Sequence, residues 1–134
     1  MFRSPFVSVG DFMGAGGVSL AFGAGPDGAP RVRVFDAAQL MAAGPFTTLD
    51  QIAAAAQLAN FYAGGLDQRT GAQVAIIPAT STAPAELATR TGAEGAAPVN
   101  MYSAATLATG LLPTPDQTLD ATTAAATLNG VFVG

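Results

Sequence analysis

The alternation of polar and apolar residues over 18–35 predicts a β-hairpin. Residues 31–35, Arg-Val-Arg-Val-Phe, alternate as a strand with one buried face does, and Val18–Phe22 supplies an apolar first strand. Between them, residues 23–30 are Gly-Ala-Gly-Pro-Asp-Gly-Ala-Pro, and these residue types tolerate turn geometry. We therefore expect Arg31 and Arg33 to lie on the solvent side of the second strand.

Two helices are predicted after the hairpin, each from its capping residues. Asp36 is placed to cap a short helix over Ala37–Ala43. Thr48 and Gln51 fit a capping box, in which each side chain satisfies a backbone N–H of the other residue. The alanine-rich stretch that follows favours a second helix over Leu49–Ala63.

The second half of the chain is predicted to mix short strands with a long loop. Gln73–Ile77 is a short apolar run that ends at a proline, which is typical of a buried strand. Residues 79–98 carry few bulky side chains, so we expect a long loop, or a short helix near Pro84–Thr91 between loops. Val99–Tyr102 is a further strand candidate.

The C-terminal residues predict one more helix and a closing strand. Thr118 is placed as the N-cap of a helix over Leu119–Leu128, and the Asn-Gly pair at 129–130 favours its end. Val131–Val133 would then form a final strand. No repeat with a period of 20–50 residues is visible, which argues against a solenoid or a propeller.

Residues 1–17 concentrate much of the chain's large apolar surface, interrupted by Pro5 and by glycines. Two interpretations are open: an N-terminal strand of the domain's own sheet, or an extended arm that docks on a neighbouring subunit. We adopt the second, with residues 1–17 as the arm and residues 18–134 as a single domain. The expected interface residues are Phe2, Phe6, Val7, Val9 and Phe12.

Together these elements predict an α+β fold. It would be a small β-rich domain with a hairpin, two or three short helices and the N-terminal arm. A chain of 134 residues suits one such domain.

The composition argues against an enzyme. Cys, His and Lys are absent, so the chain has no thiolate or imidazole metal ligand, no Ser-His-Asp triad and no Schiff-base lysine. Glu86 and Glu94 are the only glutamates, and no aromatic residue in that stretch could form a sugar platform. We expect no catalytic residue, no cofactor and no metal.

The charge balance disfavours nucleic acid and membranes as partners. Five arginines against nine acidic residues give a net charge of −4, which leaves too few cations to neutralise many phosphates. We find no stretch of 18 apolar residues and no signal-peptide pattern. Synthesis in the cytoplasm of the host cell is expected.

The C-terminal third carries a resemblance to a known family. It has an aromatic strand residue (Tyr102), an Ala-Ala-Thr-Leu step at 104–107, a proline turn at Pro113, the predicted helix and a Gly-Val-Phe-Val end at 130–133. In these features, and in the turn and strand at 71–77, it resembles the lambda-type bacteriophage head decoration proteins. The resemblance implies a β-rich trimer on the capsid exterior, bound to the major capsid protein at local threefold axes, with an N-terminal arm that orders there.

Composition favours the same class of function independently of that family. An Ala-, Gly- and Thr-rich chain with little charge suits a subunit that contacts copies of itself or a lattice. We therefore expect a structural virion protein that decorates and stabilises a capsid. Two alternatives remain: a tail-tube or head–tail connector subunit, with 18–35 as its long hairpin, and a non-viral surface or adhesion module.

Overall fold

A computed structural model describes residues 6–14, 16–25, 27–42, 48, 51, 56–67, 69–91 and 98–119. Within these residues the chain forms two antiparallel sheets of four strands and two short helices. Sheet A comprises β1 (Phe6–Gly10), β2 (Ser19–Gly23), β3 (Arg31–Asp36) and β4 (Gln57–Tyr62), and sheet B comprises β5 (Gln73–Ile77), β6 (Glu86–Arg90), β7 (Val99–Ser103) and β8 (Gln117–Leu119). The helices are α1 (Ala37–Ala42) and α2 (Ala104–Leu107).

Each sheet is a meander in which every strand pairs with its neighbour in the sequence. The predicted hairpin is confirmed as β2 and β3, and the predicted strands at Gln73–Ile77 and Val99–Tyr102 are confirmed as β5 and β7. The fold is therefore a small β-rich domain with few short helices. It is α+β only in the broad sense, because most of its regular structure is β-sheet.

The main core lies between the two sheets. Val32, Val34 and Phe61 project from sheet A, while Leu87 and Tyr102 project from sheet B, and all five are buried in one cluster. In β3 the valines are inside and the arginines lie partly exposed on the other side, as the alternation predicts. The hydrophobic effect thus holds the two meanders together.

The sheets approach most closely where β1 and β2 meet the start and end of β5. The Ile76 N–H donates to Ser8 Oγ at 3.0 Å, and the Ala72 N–H donates to the carbonyl of Ala24 at 2.9 Å. A Cβ on Gly10 would lie 2.9 Å from Ile76 Cγ2, and one on Gly23 would overlap the Ala72 carbonyl oxygen. These two positions therefore require glycine for steric reasons.

The predicted helix over Leu49–Ala63 is wrong in its second half. The capping box is present: the Gln51 N–H donates to Thr48 Oγ1 at 3.2 Å, and the Thr48 N–H donates to Gln51 Oε1 at 3.3 Å. Residues 57–62 nevertheless form β4, paired with β3, with Ala59 and Phe61 buried. Pairing with a waiting strand edge and burial of the phenylalanine outweigh the helix propensity of the alanines.

The loop or helix expected at 84–91 is also wrong. Residues 86–90 form β6, which pairs with β5 on one side and β7 on the other. Leu87 and Ala88 are fully buried on opposite faces of sheet B. Small side chains suit a strand that is covered on both faces, so the scarcity of bulky residues does not indicate a loop here.

The predicted C-terminal helix is corrected at its start. Thr118 and Leu119 belong to β8 and pair with Asn100 and Val99, so Thr118 is not a helix N-cap. The rest of that helix and the strand at Val131–Val133 lie outside the described residues.

Both short helices begin at a side-chain cap. The Gln39 N–H donates to Asp36 Oδ1 at 2.9 Å, which confirms the predicted cap of α1. The Thr106 N–H donates to Ser103 Oγ at 3.3 Å at the start of α2. In the described part of the chain, no helix is long and apolar enough to cross a membrane.

Candidate assembly surface

The outer face of sheet A is apolar along β1 and β2. Val7 and Val9 are 53% and 61% exposed, and Val18, just before β2, is 49% exposed. Leu20 and Phe22 lie directly across from Val9 and Val7 in the ladder and are partly exposed. We call these five residues, Val7, Val9, Val18, Leu20 and Phe22, the valine face.

The valine face is rigidly supported from below. Phe22 packs edge-on against Phe35, with ring centroids 5.9 Å apart and an interplanar angle of 67°. Phe35 follows an irregularity in the β3–β4 ladder between Val34 and Phe35, which lets two adjacent residues both be buried. The aromatic pair fixes the middle of the face, so the exposed valines sit on an ordered platform.

The connection from β1 to β2 is organised by one carboxylate. Asp11 accepts from the Gly14 N–H at 2.8 Å through Oδ1 and from the Gly16 N–H at 2.7 Å through Oδ2. Both glycines have positive φ, +73° and +85°, which is the conformation this turn demands. The neighbouring Phe12 is only 2% exposed and its N–H donates to Ser19 Oγ at 3.3 Å.

These contacts correct the expectation of a detached N-terminal arm. Residues 6–10 form a strand of the domain's own sheet, which is the alternative that the sequence left open. Of the five expected interface residues, Phe12 is in the core, Phe6 packs against the core, and Val7 and Val9 are exposed. Phe2 lies outside the described residues. The glycines that suggested flexibility instead serve the turn.

The other half of the outer face, on β3 and β4, is polar. Arg31 Nε donates to Asn60 Oδ1 at 2.9 Å, and its guanidinium lies 5.8 Å from the centre of the Tyr62 ring. Arg33 Nε is buried and has no hydrogen-bond partner among the described residues. The apolar valine face is thus bordered on one side by cationic and hydrogen-bonding groups.

The hairpin tip between β2 and β3 does not project from the domain. The Asp27 N–H donates to the Arg69 carbonyl at 2.8 Å, and the Gly71 N–H donates to the Gly28 carbonyl at 2.9 Å. The tip is therefore held against the connection between β4 and β5.

One open groove, of about 590 Å³, lies at the end of the sheets beside α2. Its polar lining consists of hydroxyl groups, including those of Thr80, Thr82 and Ser103. Among the described residues, no group of three or more Asp, Glu, His or Cys is close enough to hold a metal ion. The groove therefore offers hydrogen bonding but no acid–base pair.

Comparison with known proteins returned no match: no family model, no curated protein and no solved structure is significantly similar to the chain.

Sequence reasoning found part of this surface and missed the rest. Val7 and Val9 were expected at an interface, but Leu20 and Phe22 were assigned only to the hairpin. The alternation of Leu20, Phe22 and Phe35 with small inward residues was the signal that β2 has two apolar faces. A strand of that kind needs cover on both sides.

Proposed function

We propose that the protein is a structural virion subunit that decorates and stabilises a capsid. The observation that carries the proposal is the valine face, an apolar sheet surface that is exposed in the single chain. Monomeric proteins rarely leave such a surface uncovered unless it contacts another protein. The resemblance of the C-terminal third to the lambda-type head decoration proteins specifies the assembly.

The contacts of such a subunit would depend on apolar burial. Burying a valine side chain contributes about 1.5–3 kcal/mol relative to leaving it exposed. The valine face contains no charged residue, so long-range attraction contributes little to binding there. The expected partners are the major capsid protein and further copies of this chain, on the exterior of the capsid.

The connector alternative loses its structural motivation. It rested on a long hairpin at 18–35, and the tip of that hairpin is bonded to residues 69–71 of the same chain. No described feature favours an adhesion module.

Cosedimentation tests the proposal directly. Purified chain is added to capsids assembled without it, and the bound amount and the thermal stability of the particle are measured. We expect saturable binding and a particle that resists heating better. Chain that stays in the supernatant at every concentration, with particle stability unchanged, would refute the capsid role.

A further inference from the structure

The second half of the chain repeats the first. β1 and β5 begin 67 residues apart, as do β2 and β6, and β3 and β7 end 67 residues apart. Each half therefore has the same order: three strands followed at once by a short helix.

The register and the caps repeat as well. Phe6 pairs with Gly23 in sheet A, and the residues 67 positions later, Gln73 and Arg90, pair in sheet B. The Asp36 cap of α1 corresponds to the Ser103 cap of α2 in the same way. Identical residues recur at this spacing: Val7 and Val74, Leu20 and Leu87, Ala21 and Ala88, Val32 and Val99, Leu40 and Leu107.

The repeat also shows which faces of the sheets are equivalent. In the second half, the counterparts of the valine face are Val74, Ile76, Ala85, Leu87 and Thr89. Leu87 and Thr89 are at most 1% exposed, and Leu87 packs in the core against sheet A. One copy of this face is thus covered by a sheet, whereas the other copy, in sheet A, is exposed.

The remaining sheet face is already shielded. The outer face of sheet B carries Ala75, Ala88, Val99 and Met101, which are 0–7% exposed. Of the four sheet faces in the described part of the chain, only the valine face therefore leaves large apolar side chains at about half exposure.

We propose that the valine face binds the valine face of a second copy of this chain, about a twofold axis near β1. The matching surface is apolar and uncharged, so two copies meet without like-charge repulsion. Arg31 and Arg33 lie on the β3 side of each copy and would remain at the rim of the contact. An apolar centre with a polar rim is the usual anatomy of a protein interface. A self-complementary patch of this kind forms a closed dimer.

This pairing deepens the proposed assembly role and rests on it only for its biological setting. It also departs from the trimer that the family resemblance implies, because an isologous contact joins two chains. The mass of the oligomer decides between the two.

The test measures mass in solution by sedimentation velocity and light scattering over a wide concentration range. The chain of 13.2 kDa is expected to reach twice that mass reversibly. Val9→Glu should remain a monomer, because it places two carboxylates at the centre of the contact. Leu112→Glu is the matched control, since Leu112 is 63% exposed against 61% for Val9 but lies in the connection between α2 and β8. Circular dichroism and thermal unfolding establish that both variants fold.

Cross-linking tests the symmetry. The chain has no cysteine, so Val9→Cys treated with a bismaleimide should give a covalent dimer, and Leu112→Cys should not. A wild-type monomer at all concentrations, a mass of three chains, or self-association unaffected by Val9→Glu would overturn the proposal. Chain that dimerises but never binds capsids refutes only the capsid role, whereas chain that binds capsids as a monomer refutes only the pairing.

Discussion

Phe61 and Tyr102 belong to different sheets, and their rings meet with centroids 5.0 Å apart and planes tilted by 56°. Both side chains are almost completely buried. Phe61 lies in the stretch whose alanines favour a helix, and its contact with Tyr102 is part of what holds that stretch in sheet A. The pair therefore links the local structure of β4 to the docking of the two sheets.

Replacing Phe61 with alanine should reduce the free energy of unfolding by about 3–5 kcal/mol, because it leaves a cavity between the sheets. Chemical denaturation monitored by circular dichroism measures this loss. Phe22→Ala is the comparison, since Phe22 is only partly buried and should cost less. Equal losses in the two variants would contradict the placement of the core.

The Tyr102 hydroxyl should give the protein an alkaline limit of stability. Burial raises the pKa of Tyr102 above its ordinary value of 10.0, although the nearby Thr89 and Asn100 side chains partly oppose this. The stability that comes from the neutral phenol is complete below pH 10 and is lost as the pH rises through the raised pKa. Tyr102→Phe should flatten the decline in stability above pH 10, as followed by denaturation at successive pH values.

Asp116 should contribute an acid-dependent increment to stability. Hydrogen bonds from the Thr106 hydroxyl and the Ser103 N–H, both 2.7 Å long, lower the pKa of its carboxyl below 3.8. The contribution is present above that pH and is lost as the pH falls through the lowered pKa. We expect Asp116→Asn to be slightly less stable than wild type at pH 7 and to differ less at pH 2. Asp67→Asn, at an exposed loop position, should show neither effect.

Gly23→Ala should destabilise the chain by about 1–3 kcal/mol or more, since its Cβ would overlap the Ala72 carbonyl oxygen where the sheets approach. Gly17→Ala provides the control, because a Cβ there meets no atom within 4 Å. The two thermal unfolding midpoints should differ by several degrees. Similar midpoints would be incompatible with the close approach of the sheets.

Deleting residues 1–17 should unfold or strongly destabilise the domain. The deletion removes β1, the Ser8 hydroxyl bonded to Ile76 and the buried Phe12. An arm that only docks on a neighbour would leave the thermal midpoint unchanged. Calorimetry of the truncated chain, with Phe12→Ala as a milder variant, separates these outcomes.

How far the sequence predicts this structure depends on the range of the interactions involved. The caps at Asp36 and at Thr48 with Gln51 are predictable, because each joins residues three apart. The alternation of Arg31 and Arg33 with valines is equally local. By contrast, β4 depends on β3 as a pairing partner some thirty residues away, which intrinsic propensity does not include.

The same distinction applies to the valine face. Val7 and Val9 were predictable as apolar residues without an evident partner, but Phe12 lies only three residues further and is buried by the β1–β2 turn. The duplication was invisible because its spacing of 67 residues exceeds the periods typical of solenoid repeats. Only the shared register of the two sheets makes it clear.

The meander order of both sheets has a consequence for folding kinetics. Since every strand pair joins neighbours in the sequence, each half can form its own ladder early and without closing long loops. The glycine contacts at Gly10 and Gly23 and the Phe61–Tyr102 pair can form only when the two ladders meet. We therefore expect substitutions at these junction residues to accelerate unfolding while leaving the folding rate almost unchanged.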